Sequence, residues 1–340
     1  MSTMQLTVIP FLWNAQPDSS LLAITNGLTA GDTLLCKTRT FLPIRELDVD
    51  VHDPVWTDTE DTFENFHKVE AIRVMEGGTG YYMGTLKSPS GGSAGAANTP
   101  GFSSFVATNG RTMAHELGHN MSLYHAPCGG PAQPDRSFPS INGATGAWGY
   151  DFRAGGSLVS PSFKDLMSYC RPEWISEYSF SNALIYRLEQ HSTAARARSA
   201  ESLLLWGGLD EKGDPFLEPA FVVVAPPVLP RMGGAYRLTG LTDGGEELFV
   251  MDFDMLEVSD GGAPSFAFAL PARPEWAGPP GDDHAVRPRR VREHGPRERA
   301  LDDDSPGSGN RAGTGHPAGR GTEGRGRGRF ARGPRARSAL

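Results

Sequence analysis

Two histidines and a glutamate lie within five residues of one another, and their types and spacing suit metal chemistry. His115 and His119 are four residues apart. On a helix, their rings therefore project from one face, with Cβ atoms about 5–6 Å apart. Two imidazoles at that separation can bind one Zn²⁺ at about 2.0–2.1 Å. Glu116 follows the first histidine, where its carboxylate can hydrogen-bond a water on the metal without binding the metal. The pattern predicts a zinc site with a general base beside it.

A third histidine strengthens this prediction. His125 comes six residues after His119, which is too far for the same helical face. The chain must therefore turn after about Met121 if His125 is to reach the metal. Three protein ligands leave a fourth position for water, as in catalytic rather than structural zinc sites. The alternative is an ordinary surface helix that happens to carry two histidines.

The stretch HELGHNMSLYH, residues 115–125, resembles the zinc motif HExxHxxGxxH of the metzincin metallopeptidases. The resemblance implies one catalytic Zn²⁺ bound by the three histidines, with Glu116 as general base. Ser122 departs from the family motif, which has a glycine there to let the backbone turn with a positive φ. A residue other than glycine in that conformation costs on the order of 1 kcal/mol. The resemblance spans roughly 1–195 and is strong in 112–128 and 160–176.

A second segment, DLMSYC at 165–170, resembles the Met-turn that lies under the zinc in this family. Met167 would be its methionine, although a gap-filling core methionine is the plainer interpretation of the residue alone. Tyr169 matches a tyrosine that lies beside the metal in astacin-like and serralysin-like members. The resemblance implies a transition-state role for Tyr169, and a simple buried tyrosine is the alternative. The flanking segments are similar to secreted bacterial members.

Two cysteines flank the same site. Cys128 comes three residues after His125, and Cys170 comes three residues after Met167. With the Met-turn placed by the resemblance, a disulfide between them would join the ligand loop to that turn, which suits an oxidising compartment. Two buried free thiols are the alternative. Cys36 is left over, and it lacks the surrounding pattern of a pro-segment cysteine that blocks zinc.

Hydrophobic periodicity predicts both strands and helices around these motifs. The resemblance implies that they form an α+β, metzincin-like catalytic domain, with a twisted mixed sheet, an active-site helix and a Met-turn. Strands are predicted at 5–12, 45–52 and 80–86, and helices at 62–75, 110–122 and 179–188. We expect Asn109 or Thr112 to cap the second helix. The irregular stretch at 80–106 is the candidate sheet edge, along which an extended peptide substrate would add as a strand.

The composition changes after about residue 198. Short β-rich runs separated by Gly, Pro and Asp predict a small all-β, sandwich-like domain. From about 278 the chain is rich in Arg, Gly and Pro, with few large apolar residues, so a disordered tail is predicted. The predicted domains are 1–197, 198–277 and 278–340. An Arg/Gly segment that binds RNA and an out-of-frame translation are further interpretations of the tail.

Charge separates the folded part from this tail. The net charge is −8, yet residues 281–340 hold 14 arginines, no lysine and 8 acidic residues, so the preceding part is strongly acidic. An acidic body disfavours nucleic acid as its partner. The longest apolar runs fall well short of the ~20 residues of a membrane span. The basic segment of a signal peptide is missing, since the first basic residue is Lys37.

The combined prediction is a monomeric zinc endopeptidase that is extracellular or at the cell surface and hydrolyses peptide bonds of protein or glycoprotein substrates. Its N-terminus would then be an incomplete record of a precursor. One alternative is a non-catalytic binding protein that keeps the metzincin shell and recognises protein or glycan. A nucleic-acid-binding protein that acts through the tail is another. The intact set of three histidines and Glu116 favours the enzyme.

Overall fold

The computed structural model describes most of the first 273 residues and one short segment beyond them. The described ranges are 3–190, 198–210, 212–230, 232–241, 245–273 and 287–293. All of them belong to one compact unit. The predicted domain boundaries after residues 197 and 277 lie outside the described residues and stay predictions.

The N-terminal half contains a mixed six-stranded sheet. Its strands are β1 (Met4–Trp13), β2 (Leu47–Val51), β3 (Val55–Thr57), β4 (Tyr81–Leu86), β5 (Gly95–Ala97) and β6 (Ser103–Ala107). The order is β2-β1-β4-β6-β5, and β3 pairs with the end of β1. Neighbouring strands are parallel except at one edge, where β5 runs antiparallel to β6. The outer side of β5 is therefore an edge of this sheet.

Helices lie on both faces of the sheet. They are α1 (Ser20–Thr25), α2 (Cys36–Phe41), α3 (Thr62–Met75), α4 (Gly110–Asn120) and α5 (Glu177–Gln190). Leu6 and Val8 of β1 pack in the same core cluster as α4, whereas Ile9 and Phe11 pack in the cluster of α3. This division follows the two-residue period of a strand, which sends successive side chains to opposite faces. Both helices are thus fixed to the same central strand.

Most elements of this half lie where the sequence predicts them. β1, β2 and β4 fall on the predicted strands, and α3 spans 62–75 as predicted. α4 ends two residues earlier than predicted, and α5 is two residues longer at each end. Among the described residues, no helix is both long and apolar enough to span a membrane.

Between α4 and α5 the chain is mostly loop, stabilised by short strand pairs. These strands are β7 (Gly149–Asp151), β8 (Ser157–Val159), β9 (Lys164–Asp165) and β10 (Glu173–Trp174). β7 pairs antiparallel with β8, and β9 pairs parallel with β10. Arg111, in the first turn of α4, donates to the Glu173 carboxylate at 2.9 Å and so ties this loop region to the helix.

Beyond residue 198 the described chain is β-structure. The strands are β11 (Ala200–Leu209), β12 (Pro215–Leu217), β13 (Phe221–Ala225), β14 (Met232–Leu241), β15 (Glu247–Phe253), β16 (Ser265–Pro271) and β17 (Arg287–Glu293). β11 pairs with β12, β13 and β16, while β14 pairs with β15 and β17, in all cases antiparallel. Residues of both sheets, among them Leu205, Leu238, Phe253 and Phe268, share one buried cluster.

The predicted disordered tail needs one correction, because Arg287–Glu293 pairs with β14 as strand β17. The edge of β14 offers unpaired backbone groups, and the backbone of this segment pairs with them. The rest of the predicted tail, 278–286 and 294–340, lies outside the described residues.

The β-rich region packs directly on the N-terminal half. Leu204 of β11 and Ala269 of β16 share a buried cluster with Ala71 and Val74 of α3. Because β16 lies against α3, the loop that enters it from β15 reaches the sheet edge at β5. Ser259 of this loop donates its N–H to the carbonyl of Ala97 at 2.9 Å.

Candidate metal centre

Helix α4 presents the first two histidines. The Asn109 side chain caps the helix by accepting from the Thr112 N–H at 2.9 Å. His115 and His119 follow one turn apart on this helix, and both are buried. Gly118 lies between them, where an added Cβ would come within 2.5 Å of the Met167 sulfur. The helix therefore needs a glycine at this position to pack on the segment below it.

A left-handed turn returns the chain to the same site. Ser122 has a φ of 68°, so the serine adopts the conformation for which the family motif uses glycine. The Leu123 N–H donates to the Gly118 carbonyl at 3.0 Å, which closes the end of the helix. The turn brings His125 to the two helical histidines, as the sequence predicted.

The three histidines converge through the same ring nitrogen. The Nε2 atom of His119 lies 3.2 Å from that of His115 and 3.1 Å from that of His125. Nitrogens about 2.0–2.1 Å from a tetrahedral Zn²⁺ would lie roughly 3.3 Å apart. The spacing therefore fits three ligands of one metal ion.

The opposite ring nitrogens fix this orientation. The Nδ1 atoms of His115, His119 and His125 lie 2.9, 2.7 and 2.6 Å from the backbone carbonyls of Leu166, Leu123 and Ala132. A carbonyl accepts only, so each Nδ1 carries a proton, and in the neutral ring Nε2 is left with the lone pair that a metal needs. Burial lowers the pKa of His115 to about 4 and also lowers the pKa of His119. These two rings are thus neutral at pH 7, as metal ligands must be.

The predicted Met-turn lies beneath the histidines. Met167 is fully buried, and its carbonyl accepts from the Ala126 N–H at 3.1 Å. The buried carboxylate of Asp165 shapes the turn, since it accepts from the backbone N–H groups of Met167 and Ser176, both at 2.8 Å. The turn also supplies the Leu166 carbonyl that orients His115.

Cys128 and Cys170 form the predicted disulfide, with Cα atoms 5.7 Å apart. The Tyr169 N–H donates to the Cys128 carbonyl at 2.9 Å, so a backbone bond lies beside the covalent one. The loop that carries His125 is therefore joined to the Met-turn. Cys36 is half-buried at the start of α2 and accepts from Arg153 at 3.3 Å, and it does not belong to the histidine cluster.

Tyr169 lies beside the histidines. Its ring centroid is 5.2 Å from that of His125 and 6.1 Å from that of His115. Burial, and then the hydrogen bond to Asp260, raise the pKa of Tyr169, so the phenol keeps its proton and can donate. In the structure it donates to Asp260.

Glu116 points from α4 toward the edge strand β5. Its side chain is buried, and an added Cβ at Gly95 would come within 2.5 Å of its Oε1 atom. Its Oε2 atom accepts from the Ser259 hydroxyl at 3.1 Å. Burial, and next the charge of Asp260, raise the pKa of Glu116 well above its usual value. A carboxyl group with a raised pKa is suited to take and return a proton near neutral pH.

One residue of the site has no counterpart in the sequence prediction. Asp260, on the loop between β15 and β16, joins the three histidines in a group whose ligand atoms lie within 4.8 Å of one another. Its Oδ1 is 3.3 Å from His125 Nε2, and its Oδ2 is 3.6 Å from His119 Nε2. The Oδ2 atom is buried and has no hydrogen-bond partner. An orphaned carboxylate oxygen facing imidazole lone pairs fits a cation between them.

Nothing in the local sequence around Asp260 marks it as a ligand, because SDGG has the composition of an ordinary turn. A cavity of about 250 Å³ adjoins the site, and Glu116, Tyr169, Arg171 and Asp260 are among the residues that line it.

Comparison with known families supports this site. The model of the metallo-peptidase family M12B, reprolysin-like, matches residues 47–126. This segment runs from β2 to just past His125, so it includes Glu116 and all three histidines, whereas the Met-turn and Asp260 lie beyond it. The predicted relation to metzincin-type zinc metallopeptidases is confirmed over this segment. A comparison with curated proteins finds no match.

Proposed function

We propose that the chain is a zinc-dependent endopeptidase in which His115, His119 and His125 bind one metal ion. The observation that carries the proposal is the convergence of three Nε2 atoms: that of His119 lies 3.2 and 3.1 Å from those of His115 and His125, and each Nδ1 lies against a backbone carbonyl. Such backbone-oriented imidazoles are the usual arrangement of zinc ligands. The family match over the same residues supports the choice of zinc.

The protein side chains supply the proton transfers. Zinc at this position would provide a Lewis acid that activates water and polarises the scissile carbonyl. Glu116 takes the proton of the attacking water and later passes it to the leaving amine. Tyr169, whose phenol is protonated, donates to the developing oxyanion.

The site accepts an internal chain segment, which supports endopeptidase rather than exopeptidase action. Leu256–Gly262 crosses the site with chain continuing on both sides, and residues 257–259 run antiparallel to β5. An extended peptide substrate would use the same edge, with main-chain hydrogen bonds to Ala97 and Thr99.

The disulfide and the family match support a site of action outside the cytoplasm. Structural disulfides persist in oxidising compartments, and Cys128–Cys170 closes the loop that carries the Met-turn. Recovery of the protein in the culture medium or periplasm of a producing cell, with the disulfide intact, would support this location. Recovery in the cytoplasm with both thiols reduced would contradict it.

A Glu116→Gln variant tests the assignment. We expect it to retain one zinc per chain by elemental analysis, because Glu116 does not bind the metal. It should lose the chelator-sensitive cleavage of a mixed peptide library that the unaltered chain shows. Glu64→Gln, on the exposed first turn of α3, is the matched control and should keep both properties. Loss of zinc, or unchanged cleavage by the Glu116 variant, would contradict the proposed role.

A further inference from the structure

We propose that the loop segment Leu256–Asp260 is a built-in inhibitor, which fills the substrate position on β5 and provides the metal with its fourth protein ligand, Asp260. The proposal rests on the proposed peptidase function and adds its regulation. It assigns the cleft an occupant from the chain itself.

The backbone of the segment pairs with the edge strand as a substrate would. Ser259 donates its N–H to the Ala97 carbonyl, and the Glu257 carbonyl accepts from the Thr99 N–H, both at 2.9 Å. The Ala97 N–H in turn donates to the Ser259 hydroxyl at 2.9 Å. The segment thus takes the donors and acceptors that this edge would offer to a peptide.

Side chains of the same segment contact both the histidine cluster and Glu116. Asp260 places its two carboxylate oxygens 3.3 and 3.6 Å from His125 and His119, and the first of these oxygens also accepts from Tyr169. Ser259, the preceding residue, donates to Glu116 at 3.1 Å. A carboxylate on the metal would leave no free fourth position for water, and the Ser259 hydroxyl occupies one of the two carboxylate oxygens of Glu116.

Packing holds the segment in this place. Val258 is buried in the core cluster that contains Phe66 of α3, and the Glu257 carboxylate accepts from Tyr124 at 3.2 Å. Leu256, two residues before Val258 in the chain, exchanges two backbone hydrogen bonds with Ser265, at 2.8 and 3.1 Å. The segment is therefore carried by the β-rich region, and it leaves the cleft only when this packing is broken.

A sharp turn ends the segment. Asp260 has a φ of 57° and is followed by Gly261 with a φ of 84°, so the chain reverses beside the histidines. Gly261 is exposed, whereas Val258 and Ser259 are buried. The buried residues therefore anchor the segment in the cleft, and the chain leaves the cleft at this turn.

The test compares Asp260→Ala and Asp260→Asn with the unaltered full-length chain. Asp254→Asn is the matched control, because it lies in the same loop, away from the histidines, and Asn can still accept the Ala235 N–H that Asp254 binds. Three quantities are measured: the visible absorption spectrum of the Co²⁺-substituted proteins, the rate of zinc loss to a chelator, and the cleavage of the peptide library. Thermal melting verifies that each variant is folded.

We expect both Asp260 variants to change the Co²⁺ spectrum and to cleave peptides faster than the unaltered chain. They should release zinc at least about 10 times faster, because loss of a ligand should cost no less than loss of an outer hydrogen bond. The control should match the unaltered chain. An unchanged spectrum and zinc-release rate in folded Asp260 variants would overturn the ligand assignment. A changed spectrum with equal peptide cleavage would overturn the inhibition while the peptidase function stands. A changed spectrum without cleavage by any protein would overturn the peptidase function and, with it, the inhibitory role.

Discussion

The site has two sides: the histidine side, formed by His115, His119 and His125, and the Asp260 side. Asp260 Oδ1 lies 3.3 Å from His125 Nε2, but different parts of the chain position the two sides. The histidine side is local: one helix, one turn and the Met-turn hold it, and the Cys128–Cys170 disulfide closes it. The Asp260 side comes from a loop between two strands of the β-rich region and depends on packing over α3. The first is built to keep a metal in one geometry. The second is held by packing and hydrogen bonds, without a covalent link to the histidine side.

The largest expected difference between the two sides concerns metal binding itself. His119→Ala should abolish stoichiometric zinc binding, because it removes the ligand that lies within 3.2 Å of both others. The loss in affinity should exceed the 10–100-fold typical of removing an outer hydrogen bond. Zinc content after dialysis against micromolar free zinc measures it. His52→Ala, at a histidine that lies beside Glu76 instead, should retain the metal. Full zinc content in the His119 variant would mean that the cluster is not the metal site.

The same contrast explains what could be predicted from the sequence. Three histidines, Glu116 and the Met-turn lie in two short stretches, so their spacing alone indicates a shared site. The partner of each Nδ1 is a backbone carbonyl, which no side-chain pattern reveals. Asp260 reaches the site through the packing of β16 and Val258 on α3, and that packing depends on tertiary contacts between distant segments.

The elements of the fold also divide into those that local sequence patterns predict and those that they do not. Strands with alternating burial, such as β2, and capped helices, such as α3 and α4, were predictable because their sequence signals are local. α1 and α2 were not predicted, because they have only six residues each and hence too few turns to show a helical period. The pairing of Arg287–Glu293 with β14 was also missed, since composition alone suggested disorder.

Removal of the disulfide should weaken the histidine side more than the Asp260 side. The Cys128→Ser/Cys170→Ser variant opens a loop with a sequence separation of 42 residues. The chain-entropy model gives about 4 kcal/mol for a loop of this size. We expect a loss of that order in the free energy of unfolding by urea, and faster zinc release, because His125 and the Met-turn are no longer joined covalently. Cys36→Ser is the control, and an equal loss there would show that the effect is not specific to the disulfide.

Tyr169 contacts both sides of the site, because its ring lies beside His125 and its hydroxyl donates to Asp260. Its substitution, with and without Asp260, therefore separates a role in turnover from a role in the inhibitory contact. In Asp260→Ala, where the inhibitory contact is absent, a further Tyr169→Phe change should lower peptide turnover by about 10²–10³ through loss of one oxyanion donor. In the unaltered chain the loss should be smaller, because Tyr169→Phe also removes the hydrogen bond to Asp260. Tyr150→Phe, at an exposed tyrosine on β7, is the control. Equal turnover with and without the phenol in the Asp260→Ala background would assign Tyr169 to packing.

The smallest expected effect concerns the turn that returns His125. Ser122 adopts a φ of 68°, which costs a non-glycine residue about 1–2 kcal/mol, whereas glycine carries an entropic cost of roughly 0.5–1 kcal/mol. Ser122→Gly should therefore stabilise the protein by up to about 1 kcal/mol in urea unfolding, with unchanged zinc content. Ser88→Gly, at an exposed serine outside the positive-φ set, should be neutral or destabilising. Destabilisation by Ser122→Gly would mean that the serine makes a favourable interaction that outweighs its strained backbone. That interaction of Ser122, in addition to the geometry of the turn, would then position His125.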